Sequence, residues 1–134
     1  MAILINFAGR ARQRMTHGER RFADRLRGLL EADYYCWYDV GIGAKDLHPD
    51  FIVLHPSRGL FVLEVKDWKL ENLERITKDE VFLKSQQKSV CNPLRQARDY
   101  AFAIENLLSQ DPGLVHQTGR YQGRLIFPYG YGVV

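Results

Sequence analysis

Two short apolar segments joined by a turn constrain the fold of this chain more than any other part of its sequence. The segments are residues 51–54 and 60–65, and the residues between them include Ser-Arg-Gly at 57–59. A three-residue loop that ends in a left-handed glycine is a common connection between antiparallel strands. The sequence therefore predicts a β-hairpin with strands at about 50–56 and 60–67.

Three charged residues lie at the ends of this hairpin: Asp50, Glu64 and Lys66. With residues 57–59 as the loop, Asp50 is expected opposite Lys66 and diagonal to Glu64. Side chains alternate between the two faces of a strand, so all three share one face. Diagonal neighbours lie about 7–8 Å apart, and the two carboxylates can converge on one cation. A two-residue loop would shift the register by one residue and turn Asp50 to the other face.

Glu64 lies within a nearly continuous apolar run, Leu-Phe-Val-Leu-Glu-Val over residues 60–65. Runs of this kind are typical of strands that are buried on both faces. A carboxylate is rarely buried without a partner cation or a metal ion. A solvated ion pair between Glu64 and Lys66 is the alternative interpretation, but the apolar surroundings favour a functional site.

The composition is that of a single soluble globular domain. The chain has 134 residues and a mass of 15.6 kDa, with 46% hydrophobic and 26% charged residues. No apolar run approaches the roughly 20 residues of a membrane span, so no membrane partner is expected. The N-terminal segment is too short for a signal peptide. Cys36 and Cys91 lack the spacing of a disulfide framework or a zinc site, and we expect a reduced, cytoplasmic protein.

The sequence ends in an apolar run, LIFPYGYGVV, that has no polar terminator. We therefore expect residues 1–134 to form one domain that is a fragment of a longer protein. A natural C-terminus that ends in a strand is the alternative.

Arginine is concentrated in the first fifth of the chain, although the formal net charge is only +3. Only two acidic residues, Glu19 and Asp24, lie in the same stretch. Its arginines are Arg10, Arg12, Arg14, Arg20, Arg21, Arg25 and Arg27. A cluster of this kind can bind phosphates and release their counterions. A solubilising helix face is an equally good interpretation of the charge alone.

The order of the remaining elements predicts an α/β fold with a mixed central sheet flanked by helices. Thr16 and Glu19 have the spacing of a capping box before a helix, and Asn92-Pro93 is typical of a helix start. The predicted elements are a helix over about 17–32, a strand over 34–40, the hairpin, a second hairpin over 70–76 and 80–83, a helix from 92 to about 110, and a strand over 124–128.

The order and spacing of several short motifs resemble those of known nucleases. Pro49-Asp50 followed by Glu64-Val65-Lys66 resembles the PD-(D/E)XK motif of restriction-endonuclease-like nucleases. The sequences GERRF at 18–22 and NPLRQARDY at 92–100 are similar, more specifically, to those of the nuclease-related domain (NERD) family. The resemblance covers about residues 16–128 and implies a restriction-endonuclease-like αβββαβ core.

The resemblance implies a metal site and the residues that form it. Asp50 and Glu64 would bind Mg²⁺ or Mn²⁺ with the backbone carbonyl of Val65. Lys66 would position or polarise the attacking water. Glu19 matches an acidic residue that faces the same site from the first helix. A role for Glu19 in the capping box alone is the competing interpretation, and the two roles are compatible.

Nucleic-acid contacts are expected from four further residues. Gln96 and Tyr100 match the QxxxY pattern of RecB-like nucleases, whose helix lines the nucleic-acid groove. Tyr100 is an equally good candidate for an aromatic residue at the edge of the core. Lys69 would extend the basic rim, unless it is merely solvated, and Arg20 belongs to the arginine cluster.

The implied function is hydrolysis of DNA phosphodiester bonds by a metal-dependent nuclease domain. Domains of this family are commonly fused to helicases, so a helicase partner and a role in DNA processing or repair are expected. The resemblance is also compatible with a homodimer, because many nucleases of this fold cut both strands as dimers. The alternative is a catalytically weak module that keeps the fold and binds or docks to nucleic acid.

Overall fold

A mixed five-stranded sheet forms the centre of the fold in the computed structural model, which describes residues 1–134. In chain order the elements are β1 (Ile3–Ile5), α1 (Gly9–Arg14), α2 (His17–Leu29), β2 (Tyr35–Tyr38), β3 (Phe51–His55), β4 (Gly59–Glu64), β5 (Leu73–Ile76), β6 (Glu80–Leu83), β7 (Lys88–Cys91), α3 (Pro93–Leu108) and β8 (Tyr129–Val133). The strand order of the central sheet is β1-β2-β3-β4-β8. The predicted mixed α/β class is confirmed, and α2-β2-β3-β4-α3-β8 follows the expected αβββαβ order. None of the helices has the length and apolar character needed to cross a membrane.

The central sheet is covered by helices on both faces. On one face, Ala23 and Leu26 of α2 belong to the same buried cluster as Phe51 of β3. On the other face, Ile104 of α3 packs in a cluster with Ile52 of β3. Because neighbouring residues of β3 point to opposite faces, its continuous apolar sequence supplies both clusters.

The β3–β4 hairpin forms as predicted, but its loop and register differ from the prediction. His55 pairs with Gly59, so the loop consists of residues 56–58 and the pairing is shifted by two positions. Gly59 has the expected left-handed backbone, with φ of +94°, but it is the first residue of β4. Since side chains repeat every two residues, the shift preserves the face of every side chain. It places Asp50 next to Glu64 instead of Lys66.

A polar cluster fixes the tip of this hairpin. The backbone N–H of Ser57 donates to His55 Nδ1 at 3.1 Å, and the Ser57 hydroxyl lies 3.0 Å from the same atom. His55 Nδ1 is therefore an acceptor, and Nε2 carries the proton that it donates to Asp33 Oδ2 at 2.8 Å. The buried imidazole thus ties the turn to the segment before β2.

The predicted second hairpin is present and extends to three strands. β5 and β6 pair antiparallel, and β7, which the sequence did not predict, pairs antiparallel with β6. These strands form a separate small sheet, and in the chain they come after β4 and before α3. The sequence also gave no indication of β1 or α1, which precede the capping box.

Both long helices begin where the sequence predicts. The Thr16 side chain and Glu19 form a reciprocal capping box at the start of α2, and the Asn92 side chain accepts from Leu94 N at 2.9 Å at the start of α3. α2 ends at Leu29, before the predicted residue 32, and α3 ends at Leu108. The backbone N–H of Leu30 still bonds the Leu26 carbonyl, but Leu30 itself is extended.

The predicted strand over residues 124–128 is wrong, because the last strand of the sheet is β8 at Tyr129–Val133. Gly130 and Gly132 disfavour a strand locally, since they have no side chain to pack. In the structure the ring of Phe61, on the neighbouring strand, packs against both glycines, and a β-carbon at Gly130 would approach that ring to 2.8 Å. A contact between strands therefore explains a segment that its local sequence does not.

We predict that Gly59→Ala destabilises the protein more than Gly119→Ala. Gly119 has a φ of +84° with open space around it, so this change should cost about 1–2 kcal/mol of backbone strain. At Gly59 the new β-carbon would also clash with the carbonyl oxygen of Pro128, which accepts from Leu60 N at 3.0 Å. Urea unfolding of both variants measures the difference. Equal losses of unfolding free energy would show that the Pro128 contact is unimportant.

Candidate functional site

The candidate site lies where β3 and β4 part. Phe51 and Leu63 are the last residues that pair, and Asp50 and Glu64 occupy the next position of the register. Here side chains replace the backbone ladder. The N–H of Asp50 donates to Glu64 Oε1 at 3.0 Å, and the N–H of Val65 donates to Asp50 Oδ2 at 2.9 Å. Each carboxylate therefore binds the free amide of the opposite strand.

The local sequence favours this separation of the strands. Pro49 is fully buried and has no N–H, so it cannot extend the ladder. The Asp50 carbonyl accepts from Asp39 N at 3.1 Å, so it bonds the residue that follows β2. On the other side, Val134 binds the backbone of β4. Its N–H donates to the Glu64 carbonyl at 2.8 Å, and its carbonyl accepts from Lys66 N at 3.0 Å.

Burial places the two carboxylates under electrostatic strain. Glu64 is only 2% exposed, which raises its pKa to about 8, and the charge of Asp50 adds to this effect. Burial also raises the pKa of Asp50, opposed by the amide of Val65 and the ammonium of Lys66. A hydrogen bond from protonated Glu64 to Asp50 is one cause of the raised pKa of Glu64. A bound cation would relieve the repulsion that raises both pKa values.

Lys66 contributes positive charge close to this pair. Its ammonium lowers the pKa of both Asp50 and Glu64, although it forms no ion pair with either. Its Nζ lies 5.7 Å from the centroid of the Trp68 ring, a cation–π contact. The structure therefore brings the two acids together and places Lys66 near enough for its charge to act on both, with its ammonium against an aromatic ring. The catalytic roles of the three residues stay predictions.

Glu19 performs its capping role and also lies near the acidic pair. Its backbone N–H donates to Thr16 Oγ1 at 3.2 Å, and Thr16 N donates back to Glu19 Oε2 at 3.0 Å. The Glu19 side chain is buried, and its charge contributes to the raised pKa of Asp50. The capping interpretation is confirmed, while a role for Glu19 in the chemistry stays a prediction.

Tyr38 is a site residue that the sequence analysis missed. Its hydroxyl donates to Glu19 Oε2 at 2.8 Å. Burial raises the pKa of Tyr38, as does the hydrogen bond to Glu19, so the hydroxyl remains a donor at neutral pH. The one available signal was its position in an aromatic strand, Tyr-Cys-Trp-Tyr, which predicts packing as readily as a polar contact.

The residues present fit a hard cation such as Mg²⁺, which is bound by one or two carboxylates and keeps several waters. Asp50 and Glu64 each use one oxygen for a backbone amide, leaving the second oxygen of each. The carbonyl of Val65 is the additional ligand expected from the sequence. No group of three or more His, Cys, Asp or Glu side chains is arranged to hold a metal ion. Waters would therefore complete the coordination.

The four predicted nucleic-acid contacts occupy three different places. Gln96 Nε2 donates to the Tyr100 hydroxyl at 3.0 Å, and Tyr100 also packs on the apolar cluster under α3. Neither has a hydrogen bond to the acidic pair. Lys69 lines a groove beside Lys66. Arg20 lies outside that groove, in a shallow depression near α1.

Comparison with known proteins places the chain in a family. A family model of the nuclease-related domain (NERD) matches residues 14–128. The chain belongs to the nuclease-related domain family. No curated protein and no solved structure matches it significantly. The NERD resemblance seen in the sequence is therefore confirmed and indicates a nuclease-related function. The wider PD-(D/E)XK placement stays a prediction.

We predict that the metal-free NERD domain loses stability as the pH rises from about 5 to 8. The pKa of Glu64 is about 8 when folded and ordinarily 4.5, so the folded protein binds more protons over this range. The unfolding free energy must then fall with rising pH. Glu64→Gln should remove most of this slope, whereas Glu74→Gln, an exposed control, should keep it. Urea unfolding in EDTA at several pH values measures the slopes. A slope that is kept in Glu64→Gln and lost in Glu74→Gln would contradict the assignment.

Gly18 of the GERRF motif allows α2 to pack closely against the chain that follows β4. A β-carbon there would clash with the carboxylate of Asp67 and lie 3.3 Å from Val65 Cγ1. We predict that Gly18→Ala stabilises the domain less than Gly28→Ala, because the side chains of Asp67 and Val65 must shift to admit the new methyl group. Gly28→Ala on the same helix meets nothing within 4 Å and should stabilise the domain, by about 0.5–1 kcal/mol. Thermal unfolding compares the two, and equal stabilisation by both changes would disprove the packing role of Gly18.

Proposed function

We propose that this NERD domain is a metal-dependent nuclease that hydrolyses DNA phosphodiester bonds. The observation that supports this most strongly is the pair of buried Glu64 and half-buried Asp50, with Lys66 beside it. Two carboxylates held together in a low-dielectric site without a cation destabilise the fold, so a purely structural role would not require them. A divalent cation is the partner that suits their oxygen ligands.

Asp50, Glu64 and the carbonyl of Val65 would hold Mg²⁺ or Mn²⁺. When bound, such an ion neutralises the scissile phosphate and lowers the pKa of a coordinated water. The chain itself supplies the orientation. The amides of Asp50 and Val65 fix one oxygen of each carboxylate, so that the other oxygen of each is available as a ligand.

Lys66 would orient the attacking water and contact the phosphate. Its backbone is fixed by the hydrogen bond to Val134, while its side chain rests against Trp68 and is free of ion pairs. A lysine in this state can turn toward an anionic substrate without breaking a salt bridge. Glu19, held by Thr16 and Tyr38, would add negative charge behind the site and strengthen cation binding.

The wider role that we propose is DNA processing or repair in the cytoplasm, in the service of a fused helicase. Members of the NERD family are commonly joined to helicases. A homodimer would allow both strands of a duplex to be cut.

A catalytically weak nucleic-acid-binding module is the second candidate. It is favoured by the small number of donors, because no third acidic or histidine side chain is arranged around Asp50 and Glu64. Glu19, the nearest further acid, is engaged by Thr16 and Tyr38. Such a module would bind DNA normally and cut none with any metal.

We predict that Asp50→Asn, Glu64→Gln and Lys66→Met each lower DNA cleavage by about 100-fold or more, since each removes a group from the proton-transfer or metal chemistry. The assay uses labelled single- and double-stranded DNA with Mg²⁺, Mn²⁺ or EDTA. Cleavage should require metal and stop in EDTA.

Glu74→Gln and Lys45→Met are matched controls, because they make the same changes at exposed positions away from the site. Both should keep the activity of the unaltered protein. Addition of Mn²⁺ should also raise the melting temperature of the unaltered protein and leave that of Glu64→Gln nearly unchanged. Full cleavage by Lys66→Met or Asp50→Asn would refute the assignment, and normal DNA binding with no cleavage would favour the weak module.

A further inference from the structure

A positively charged groove adjoins the candidate site. It lies between α2 and the chain that follows β4, and has a volume of about 710 Å³. The residues that matter for its chemistry are Arg21, Arg25, Lys66, Trp68 and Lys69. Val65 and Lys66 belong both to the wall of this groove and to the site, so a ligand in the groove lies beside the candidate site.

The arginines in the groove are free of ion pairs, whereas several arginines outside it are neutralised. Arg12 and Arg27 both bond Asp24, at 3.0 and 4.0 Å, and Arg14 bonds Asp39 at 3.2 Å. Arg21 and Arg25 are exposed and make no salt bridge. Their separation by four positions on α2 places them on the same helix face. The groove therefore has two unpaired positive charges on one helix face.

Asp67 is the one acid in the wall of the groove, and it forms no ion pair with either arginine. It packs against Gly18 at the start of α2 instead. The groove cations therefore outnumber its acid, and the groove suits a ligand that carries several negative charges.

Trp68 gives the groove an aromatic surface. Its ring is partly exposed, and it lines both this groove and a second depression on its other side. Lys66 Nζ lies 5.7 Å from the ring centroid. A positively charged groove combined with an exposed aromatic ring is the arrangement by which proteins hold unpaired nucleic-acid strands, since every base can stack on the ring.

We propose that this groove binds a single strand of DNA and leads it to the acidic pair. Arg21, Arg25 and Lys69 hold the phosphates, and a base stacks on Trp68. Stacking displaces Lys66 from the ring and so directs its ammonium toward the site. The inference rests on the proposed nuclease function for its purpose, but binding in the groove is measurable without cleavage.

Fluorescence anisotropy with a fluorescein-labelled oligothymidine in EDTA tests the proposal. Arg21→Gln and Arg25→Gln should each weaken binding severalfold and lower the slope of log affinity against log salt concentration by about one. Trp68→Leu should weaken binding about fivefold or more through loss of stacking. Unlabelled single strands should compete better than a duplex of the same length.

Arg120→Gln is the control, because it removes the same charge from an exposed position outside the groove. It should leave affinity and salt slope nearly unchanged, and melting temperatures should show that all variants fold. Equal weakening by Arg120→Gln and Arg21→Gln, or stronger competition by duplex than by single strand, would overturn the proposal.

The two proposals fail separately. A protein that binds single strands through Arg21 and Arg25 but cuts no DNA supports the groove and refutes the nuclease. A protein that cuts DNA with metal, while Arg21→Gln and Arg25→Gln bind normally, refutes the groove and leaves the nuclease proposal intact.

Discussion

The exchange of backbone amides for carboxylates between β3 and β4 is the interaction on which the rest of the site depends. Where the two strands part, the amide of Asp50 binds Glu64 and the amide of Val65 binds Asp50. These bonds satisfy backbone donors that would otherwise be buried without partners, a costly state. They also hold two acidic groups close together. The hydrogen bonds that satisfy the backbone therefore come with electrostatic repulsion between the two side chains.

The surrounding elements sustain this strain from several sides. Val134 binds the backbone of β4 on both sides of Val65, and Tyr38 binds Glu19 behind the pair. Lys66 partly compensates the acids and is itself held by Trp68. The site is thus assembled from segments that are far apart in sequence, and a family match over residues 14–128 agrees with the involvement of most of the chain.

Local rules predicted the face of the acidic residues but not their pairing. Strand side chains alternate between faces every two residues, and the observed pairing differs from the predicted one by two positions. Asp50 and Glu64 therefore still share a face, as predicted. The capping box at Glu19 was readable because both partners lie within one helical turn. The bond from Tyr38 to Glu19 was not readable, because it joins residues brought together by the sheet. Local sequence also could not reveal that the glycines of β8 make room for the ring of Phe61.

The position of Val134 has a consequence for how the domain is made. Glu64 and Lys66 leave the ribosome well before the segment that binds their backbone, which follows α3 in the chain. A nascent or stalled polypeptide therefore carries the acidic residues without the neighbour that orders them. Maturation of the site is delayed until residues 129–134 have emerged and docked beside β4.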